Sequence, residues 1–325
     1  MIPHFKEIIE YAAMAPSGHN TQPWKFSAEG HFIKIEPDFN RSLPVADADH
    51  HELYISLGCA LENLVLAAAH FGYSSNVHYD FNGSSDSIVI HLFETETPSG
   101  DELFEAIPKR HVNRAHYNAA PIPAEIMEEL TVVAKEEDVD LIWITDDGLL
   151  QEMTVLTKEA CRMQFANEAY KRELLQWIRF NEKSAYKTKD GMLSESLDAL
   201  AAPTAIGTFF FEKFVTPRSE ANKAESLIEN ASALVLFTAR EHTRENWVKL
   251  GRSFERFALA ATLKNLSHSH LNMPCETPSI REKMKELLHL QDEPLLLIRC
   301  GYALEQMPGS YRRPYEEIIS GKLEI

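Results

Sequence analysis

The chain has 325 residues, of which 44% are hydrophobic and 25% charged, so it is long enough to bury one large core or two smaller ones. Its formal net charge of −17 would be repelled by nucleic acids and anionic membranes, and we expect neither as a partner. No apolar run approaches the length that spans a bilayer, and no N-terminal pattern predicts secretion. The four scattered cysteines are typical of reduced thiols, so we expect a cytoplasmic protein.

The first third of the chain alternates helix and strand patterns. The predicted elements are, in order, a helix over 4–15, strands over 24–26 and 32–36, a helix over 52–71 and a strand over 87–93. Gly72 is a natural C-cap for the long helix. The turn-rich stretch 95–100 predicts a break, and we divide the chain there into halves 1–103 and 104–325.

The second half repeats this alternation with a longer middle part. The predicted elements are helices over 121–135, 149–180, 244–265 and 280–288, and strands over 140–145, 232–238 and 294–299. Residues 181–225 are less regular, and we interpret about 165–222 as an insertion or lid. Its aromatic residues are candidates for a cover over a binding site or for core positions: Trp177, Phe180, Phe209, Phe210 and Phe211.

An internal repeat relates the two long helices at an offset of 193 residues. The matched positions are Leu57-Gly58 with Leu250-Gly251, Glu62 with Glu255, and Leu66-Ala-Ala68 with Leu259-Ala-Ala261. Chance similarity between two amphipathic helices is the alternative. Because each helix also follows one strand and precedes another, we favour a true repeat.

Two kinds of polar segment are candidates for binding. Pro16-Ser17-Gly18-His19-Asn20 follows the first helix, and such a loop offers backbone N–H groups and an amide to a flat, polar ligand. The second half instead opens with Arg110-His111-Val112-Asn113-Arg114, and Arg312-Arg313 stands near the C-terminus. Guanidinium groups make bidentate contacts to a phosphate that lysine cannot copy.

The loop, the basic segment and the C-terminal basic run, in this order, resemble the signature of the FMN-dependent nitroreductase family. Their division between unequal halves resembles its tandem, fused-repeat branch. The resemblance implies an α+β nitroreductase-like fold, with mixed, mainly antiparallel sheets and long central helices. It further implies a monomeric pseudo-dimer or a homodimer, in which one complete site joins the two halves.

The resemblance also implies which residues form the site. Those expected to bind FMN are Pro16, Ser17, Gly18, Asn20, Arg110, His111, Arg114, Arg312 and Arg313. The Asn20 amide would face the flavin ring or its ribityl chain. A backbone N–H near Met273, Pro274 and Cys275 would approach flavin N5. Val112 stands where the family usually has Ser or Thr, so one hydroxyl donor is missing.

The implied activity is reduction of FMN by NADH or NADPH, followed by electron transfer to a nitroaromatic, a quinone or a similar small molecule. No catalytic side chain is assigned, because the flavin carries the chemistry. Three alternatives stay open: a flavin-storing protein with a lidded site, a scaffold that binds no flavin, and reductive dehalogenation. We expect no metal site, and we interpret His50-His51 and His268-Ser269-His270 as solvated loop residues.

Overall fold

The computed structural model describes residues 3–81, 86–96 and 100–320. The predicted break at 95–100 lies partly outside them. The first elements are α1 (Phe5–Ala12), β1 (Trp24–Glu29), β2 (Phe32–Pro37), α2 (His51–His70), β3 (Tyr73–Asp80), β4 (Ser87–Glu94) and α3 (Glu102–Ala106), with 3-10 helices at Gly18–Asn20 and Phe39–Arg41. The predicted division between residues 103 and 104 falls within α3 and stays a prediction.

The remaining elements follow in a similar alternation. They are α4 (Ala124–Val133), β5 (Val139–Ile144), α5 (Asp147–Ala166), α6 (Glu168–Gln176), β6 (Ile178–Arg179), α7 (Glu182–Thr188), β7 (Met192–Leu193), α8 (Thr204–Phe214), α9 (Pro217–Glu229), β8 (Ala233–Ala239), α10 (Arg244–Leu263), β9 (Ser267–His270), α11 (Met273–Glu276), α12 (Pro278–Leu287), β10 (Glu293–Gly301) and α13 (Tyr315–Ile318), with a 3-10 helix at Ser194–Leu197.

Eight of the ten strands in the described residues form two antiparallel sheets, one in each predicted half. The first has the order β1-β2-β4-β3 and the second β5-β8-β10-β9. Strand β2 alternates buried and exposed residues because one of its faces meets water, whereas β8 is buried throughout. Val235 and Phe237 of β8 join the main core, while Leu234 and Leu236 join a second cluster with α5 and α12. The predicted α+β class with mainly antiparallel sheets and long central helices is confirmed.

Helices α2 and α10 lie at the centre and pack against each other at two glycines. A Cβ atom added to Gly58 would lie 2.9 Å from the Cα of Gly251, and still closer to the carbonyl oxygen of Val248. A Cβ atom added to Gly251 would meet Gly58 and the carbonyl of Ile55 in the same way. Residues 55 and 248, like 58 and 251, are 193 positions apart, so the contact has the reciprocal form of a two-fold interface.

Helix α2 is long and apolar enough to cross a membrane by length and composition, which differs from the sequence expectation. However, 83% of its most apolar 18-residue window is buried inside the fold. Leu57, Leu61 and Leu64 are fully buried against neighbouring helices and strands. The helix therefore has the burial of a core helix.

The stretch predicted to be helical over 149–180 is mostly helical, since α5 and α6 cover it as far as Gln176. It ends there because the chain turns and β6 pairs in parallel with β7. The stretch 181–225 is more regular than expected, since α7, α8 and most of α9 lie within it. Asn181 caps α7 by accepting from the Ser184 N–H, and Thr216 and Ser219 form a capping box on α9.

The C-terminal segment returns to the first sheet. The backbone N–H of Ser320 donates to the carbonyl of Phe26 at 2.8 Å, and Ile319 forms a parallel bridge with Phe26. Residues just before this point, including Arg312, thereby come to lie against the end of α1.

Candidate functional site

A cavity of about 230 Å³ is lined by residues from both predicted halves of the chain. The predicted cofactor-binding residues that line it are Pro16, Ser17, Gly18, Asn20, Arg110, His111, Arg114 and Arg312. Arg313 is not among the lining residues. Its guanidinium instead donates to the carbonyls of Gln22 at 3.2 Å and Glu317 at 2.7 Å. The fold thus brings together eight of the nine residues that the sequence predicted to bind FMN.

The loop after α1 has unusual backbone angles. His19, Asn20 and Gln22 have φ values of 50°, 55° and 53°, a left-handed region that side-chain-bearing residues seldom adopt. The N–H of Gln22 donates to Ser17 Oγ at 2.9 Å and helps to hold this turn. Such strained residues cluster at functional sites, so the backbone supports the functional hypothesis for this loop.

The Asn20 amide connects three segments of the protein. Its Nδ2 donates to the carbonyls of Gly191 at 2.9 Å and Tyr311 at 3.1 Å, and its Oδ1 accepts from Arg312 at 3.1 Å. The sequence predicted that this amide would face the flavin. In the structure Asn20 lines the cavity, but the amide is occupied by protein partners.

Two arginines, the buried Arg110 and the partly buried Arg312, converge on one backbone carbonyl. Nη2 of Arg110 and Nη2 of Arg312 each donate to the Met14 oxygen at 3.0 Å. Within the described residues, Nη1 of Arg110 has no hydrogen-bond partner, although its residue is only 5% exposed. A third guanidinium, that of Arg114, also lines the cavity and contacts the Met192 sulfur at 4.0 Å.

The pKa values of these groups reflect their burial. Burial, with the Arg110 charge beside it, lowers the pKa of Arg312 to about 9, and burial lowers that of Arg114 to about 10. One carboxylate oxygen, Oε1 of Glu255, lies 3.2 Å from Nε of Arg110. Burial raises the pKa of Glu255 to about 7, against the opposing effect of Arg110. Positive charge therefore exceeds negative charge here, which suits an anionic ligand.

The interpretation of the histidines as solvated loop residues is wrong for His51, His268 and His270. His51 and His268 are each 1% exposed, because α2 and the unpredicted strand β9 carry them into the interior. His270 of β9 lines the cavity, and burial, with Arg114 and Arg110, lowers its pKa to about 3. Burial and Arg114 lower the pKa of His19 to about 4. These two imidazoles are therefore neutral at physiological pH.

Asp49, His51 and His242 present oxygen and nitrogen atoms within 4.8 Å of one another. A guanidinium occupies this neighbourhood: Nη1 of Arg281 lies 2.9 Å from Nε2 of His242, and its Nη2 lies 3.6 Å from Asp49. Because that positive charge would repel a metal cation, we assign no metal to this group.

The segment expected to approach flavin N5 only partly reaches the cavity. Met273 lines it, whereas Pro274 and Cys275 do not. The Cys275 side chain packs in the apolar cluster with Ile280 and Met284, and its N–H donates to the Asn272 carbonyl at 2.8 Å. A role for the backbone at 273–275 stays a prediction.

The predicted lid forms one wall of the cavity, but with other side chains than expected. The lid residues that line it are Tyr170, Met192, Ser196 and Leu197. Phe180 and Phe211 instead pack, with partly buried Trp177, in an apolar cluster beside Leu43 and Ala46. Phe209 and Phe210 are 59% and 53% exposed, so they lie in neither the cover nor the core.

Polar contacts tie this lid to the first half of the chain. Asn20 and Gly191 exchange two hydrogen bonds, since the Gly191 N–H also donates to the Asn20 carbonyl at 3.2 Å. The Glu173 carboxylate accepts from the N–H groups of Val45 at 3.0 Å and Ala46 at 2.8 Å. The lid is therefore fastened near its beginning, at Glu173, and near its middle, at Gly191.

Some lining residues were not predicted from the sequence. Glu52 lies in the first turn of α2, where an acidic residue usually signals helix stabilisation, and Glu276 ends α11. Ser56 and Cys59 are small residues in an apolar helix and carry no sequence signal of a site. The spacing of Glu52, Ser56 and Cys59, at three and four residues, could have marked one face of α2.

The chain is similar to proteins that bear nitroreductase names. "Putative NAD(P)H nitroreductase acg" of Mycobacterium tuberculosis is 25% identical over 324 residues, a match of 97% of this chain and 94% of that relative. "Probable NAD(P)H nitroreductase PigM" of Serratia sp. is 22% identical over 336 residues, covering 96% of this chain and 92% of the relative.

Comparison with solved structures gives a similar group of proteins. A nitroreductase with bound FMN from Desulfitobacterium hafniense is 12% identical, covers 69% of this chain and 100% of its own, and has a TM-score of 0.43. No family model matches the chain. The sequence relatives, matched almost end to end, support an oxidoreductase of the general nitroreductase kind and indicate no particular substrate.

Proposed function

We propose that this protein is an FMN-dependent NAD(P)H oxidoreductase of the nitroreductase type, which reduces a small-molecule acceptor such as a quinone or a nitroaromatic. One observation carries the proposal. The guanidinium groups of Arg110 and Arg312 meet at the Met14 carbonyl, and Nη1 of Arg110 is buried without a hydrogen-bond partner in the part of the chain that the structure describes.

The residues present fit the phosphate of FMN. A phosphate offers acceptor oxygens and negative charge. The buried guanidinium groups of this site need both, because only one carboxylate faces them within the described residues. Arg110, Arg312 and Arg114 would hold it, and the strained loop at 16–20 would lie beside the rest of the cofactor. When bound, FMN supplies the capacity to accept a hydride from NAD(P)H and to pass electrons on.

The proposal includes one FMN per chain, in a fused pair of unequal halves. The reciprocal contact of Gly58 and Gly251 supports such a pair. Under the 193-residue offset, Ser56 and Cys59 of the cavity correspond to Lys249 and Arg252. These longer side chains form ion pairs, Lys249 with Glu245 at 3.1 Å and Arg252 with Glu62 at 2.8 Å. If these ion pairs fill the space that corresponds to the cavity in the other half, they would account for the loss of a second FMN site.

A visible absorption spectrum and an anaerobic reduction test this proposal. The purified protein is expected to show flavin bands at about one FMN per chain. NADH or NADPH should bleach them, and menadione or a nitrofuran should restore them. A protein that stays colourless after FMN is added would refute flavin binding and favour a scaffold without cofactor.

The second candidate is a flavin-storing protein that does no turnover. The lid favours it, because Tyr170, Met192, Ser196 and Leu197 form one wall of the cavity and Glu173 fastens their segment to residues 45 and 46. A yellow protein that neither NADH nor NADPH bleaches under anaerobic conditions would support storage and contradict the enzyme function.

A further inference from the structure

Two carboxyl groups that the proposed function does not use lie in the wall of the cavity. Glu52 comes from the first turn of α2 and Glu276 from the end of α11, and in the cavity wall their carboxyl groups lie within hydrogen-bonding reach of each other. Nδ2 of Asn272 donates to Oε1 of Glu52, and Nε2 of Gln164 donates to Oε2 of Glu276 at 2.5 Å. Each carboxyl group thus accepts a hydrogen bond from a side-chain amide and also faces the other carboxyl group.

Such a pair must contain a proton. An ionised carboxylate has only acceptor atoms, so a hydrogen bond between two carboxyl groups requires that one of them be protonated. No ion pair to Glu52 or Glu276 occurs within residues 3–81, 86–96 and 100–320, so no contacting cation neutralises two negative charges. Burial raises the pKa of both groups, and for Glu52 the neighbouring Glu276 raises it further.

The ionisable groups that face the pair include some that raise and some that lower the pKa of its carboxyl groups. Asp47, whose carboxylate accepts the N–H groups of Glu52 and Leu53, adds negative charge and favours retention of the proton. His51 lowers the pKa of Glu52 and so favours loss of the proton. Tyr170 also lines the cavity, and burial, with Glu276, raises the pKa of its hydroxyl. It therefore stays neutral.

The position of the pair relates it to the rest of the site. A Cβ atom added to Gly18 would lie 3.1 Å from Oε2 of Glu52, so this carboxyl group touches the loop that lines the cavity with the arginines. In that same cavity Nη1 of Arg110 is buried and unpartnered within the described chain, which independently points to a bound ligand. A molecule bound there would have an acid within the same enclosure.

We propose that Glu52 and Glu276 hold one shared proton in the cavity and donate it to the acceptor during its reduction. This inference rests on the proposed function. Reduction of a quinone by NAD(P)H gives a hydroquinone and NAD(P)⁺, and it consumes two electrons and two protons. NAD(P)H supplies both electrons and one proton as a hydride. The carboxyl pair supplies the second proton to a quinone oxygen and regains one from water.

The first experiment measures the proton itself and needs neither cofactor nor turnover. The infrared band of a protonated carboxyl group is compared at pH 8 in wild type, Glu52→Gln, Glu276→Gln and the control Glu152→Gln. Glu152 is an exposed glutamate of α5. Each cavity variant should lose a band that wild type and the control keep, because glutamine can donate to the remaining carboxylate. An unchanged band in both cavity variants would overturn the shared proton.

The second experiment separates proton donation from a structural role. The variants are assayed with menadione, which takes up protons on reduction, and with ferricyanide, which takes up electrons alone. We expect Glu276→Gln to slow menadione reduction by roughly 100-fold and to leave ferricyanide reduction near the wild-type rate. Equal losses with both acceptors, or none with either, would overturn proton donation.

The experiments distinguish a wrong proton donor from a wrong oxidoreductase function. If wild type reduces menadione and the cavity variants match it, only the proton donor is wrong. If wild type binds FMN but reduces no acceptor, the oxidoreductase function is wrong and proton donation is refuted with it.

Discussion

Gly58 of α2 and Gly251 of α10 touch at the crossing of the two central helices, so that a Cβ atom on either one would lie 2.9 Å from the Cα of the other. Because the same contact is made from both sides, neither helix can gain a side chain here without moving the other. The close approach also fixes how the walls of the cavity, which both helices supply, stand relative to each other.

We therefore expect Gly58→Ala to lower the free energy of unfolding by about 1–3 kcal/mol, because the added methyl group meets backbone atoms that cannot rotate away. Urea denaturation measures the effect. Gly309→Ala is the matched control, since a Cβ atom at Gly309 has nothing within 4 Å. Equal stability of the two variants would contradict the tight crossing.

Replacement of Arg110 by alanine is expected to weaken FMN binding by about 1.5–3 kcal/mol, or roughly 10- to 150-fold in Kd, through lost charge-assisted hydrogen bonds. Fluorescence titration of the apoprotein with FMN measures this change. Lys109→Ala removes a neighbouring positive charge that is exposed, and it should bind FMN like wild type. If both variants bind equally well, Arg110 does not contact the phosphate.

The lid should loosen in Glu173→Ala, because the N–H groups of Val45 and Ala46 lose their shared acceptor. We expect faster proteolysis within 165–222 and, for FMN-loaded protein, a higher rate of FMN release. Glu168→Ala alters an exposed glutamate of the same helix and serves as the control. Identical cleavage of both variants would show that Glu173 does not fasten the lid.

Glu255 should make stability depend on pH. Its pKa is raised from 4.5 to about 7 in the folded protein, so its contribution is present below pH 4.5 and is lost as the pH rises through 7. The loss is at most on the order of 3 kcal/mol. Unfolding at several pH values should therefore show a shallower decline for Glu255→Gln than for wild type. Parallel curves would contradict burial of the charge.

Sequence patterns predicted the parts of this molecule whose signal is local. The periodic helices α2 and α10, the alternating strand β2 and the loop at 16–20 follow from spacing and composition, and eight of the nine residues expected to bind the cofactor line one cavity. The sequence indicated neither how Asn20 would be used nor which lid residues would face inward. Both depend on partners more than 100 positions away, such as Gly191 and Tyr311.

Strand β9 was missed for a related reason. Its sequence, Ser-His-Ser-His, has little strand character, and only pairing with β10 makes it a strand. That pairing carries His268 into the interior and His270 to the cavity. The polar sequence predicts neither position. Glu52 and Glu276 were missed because they stand more than 200 positions apart in the sequence and meet only in the folded protein.

The bond between Arg312 and the Met14 carbonyl joins groups 298 positions apart in the chain. We expect contacts of such long sequence separation to form late in folding, because the entropy of closing the intervening loop must be offset by other interactions. The cavity would then be completed after both sheets have formed. A ligand that binds the cavity would therefore stabilise only those molecules in which the segment around Arg312 has already docked against the segment around Met14.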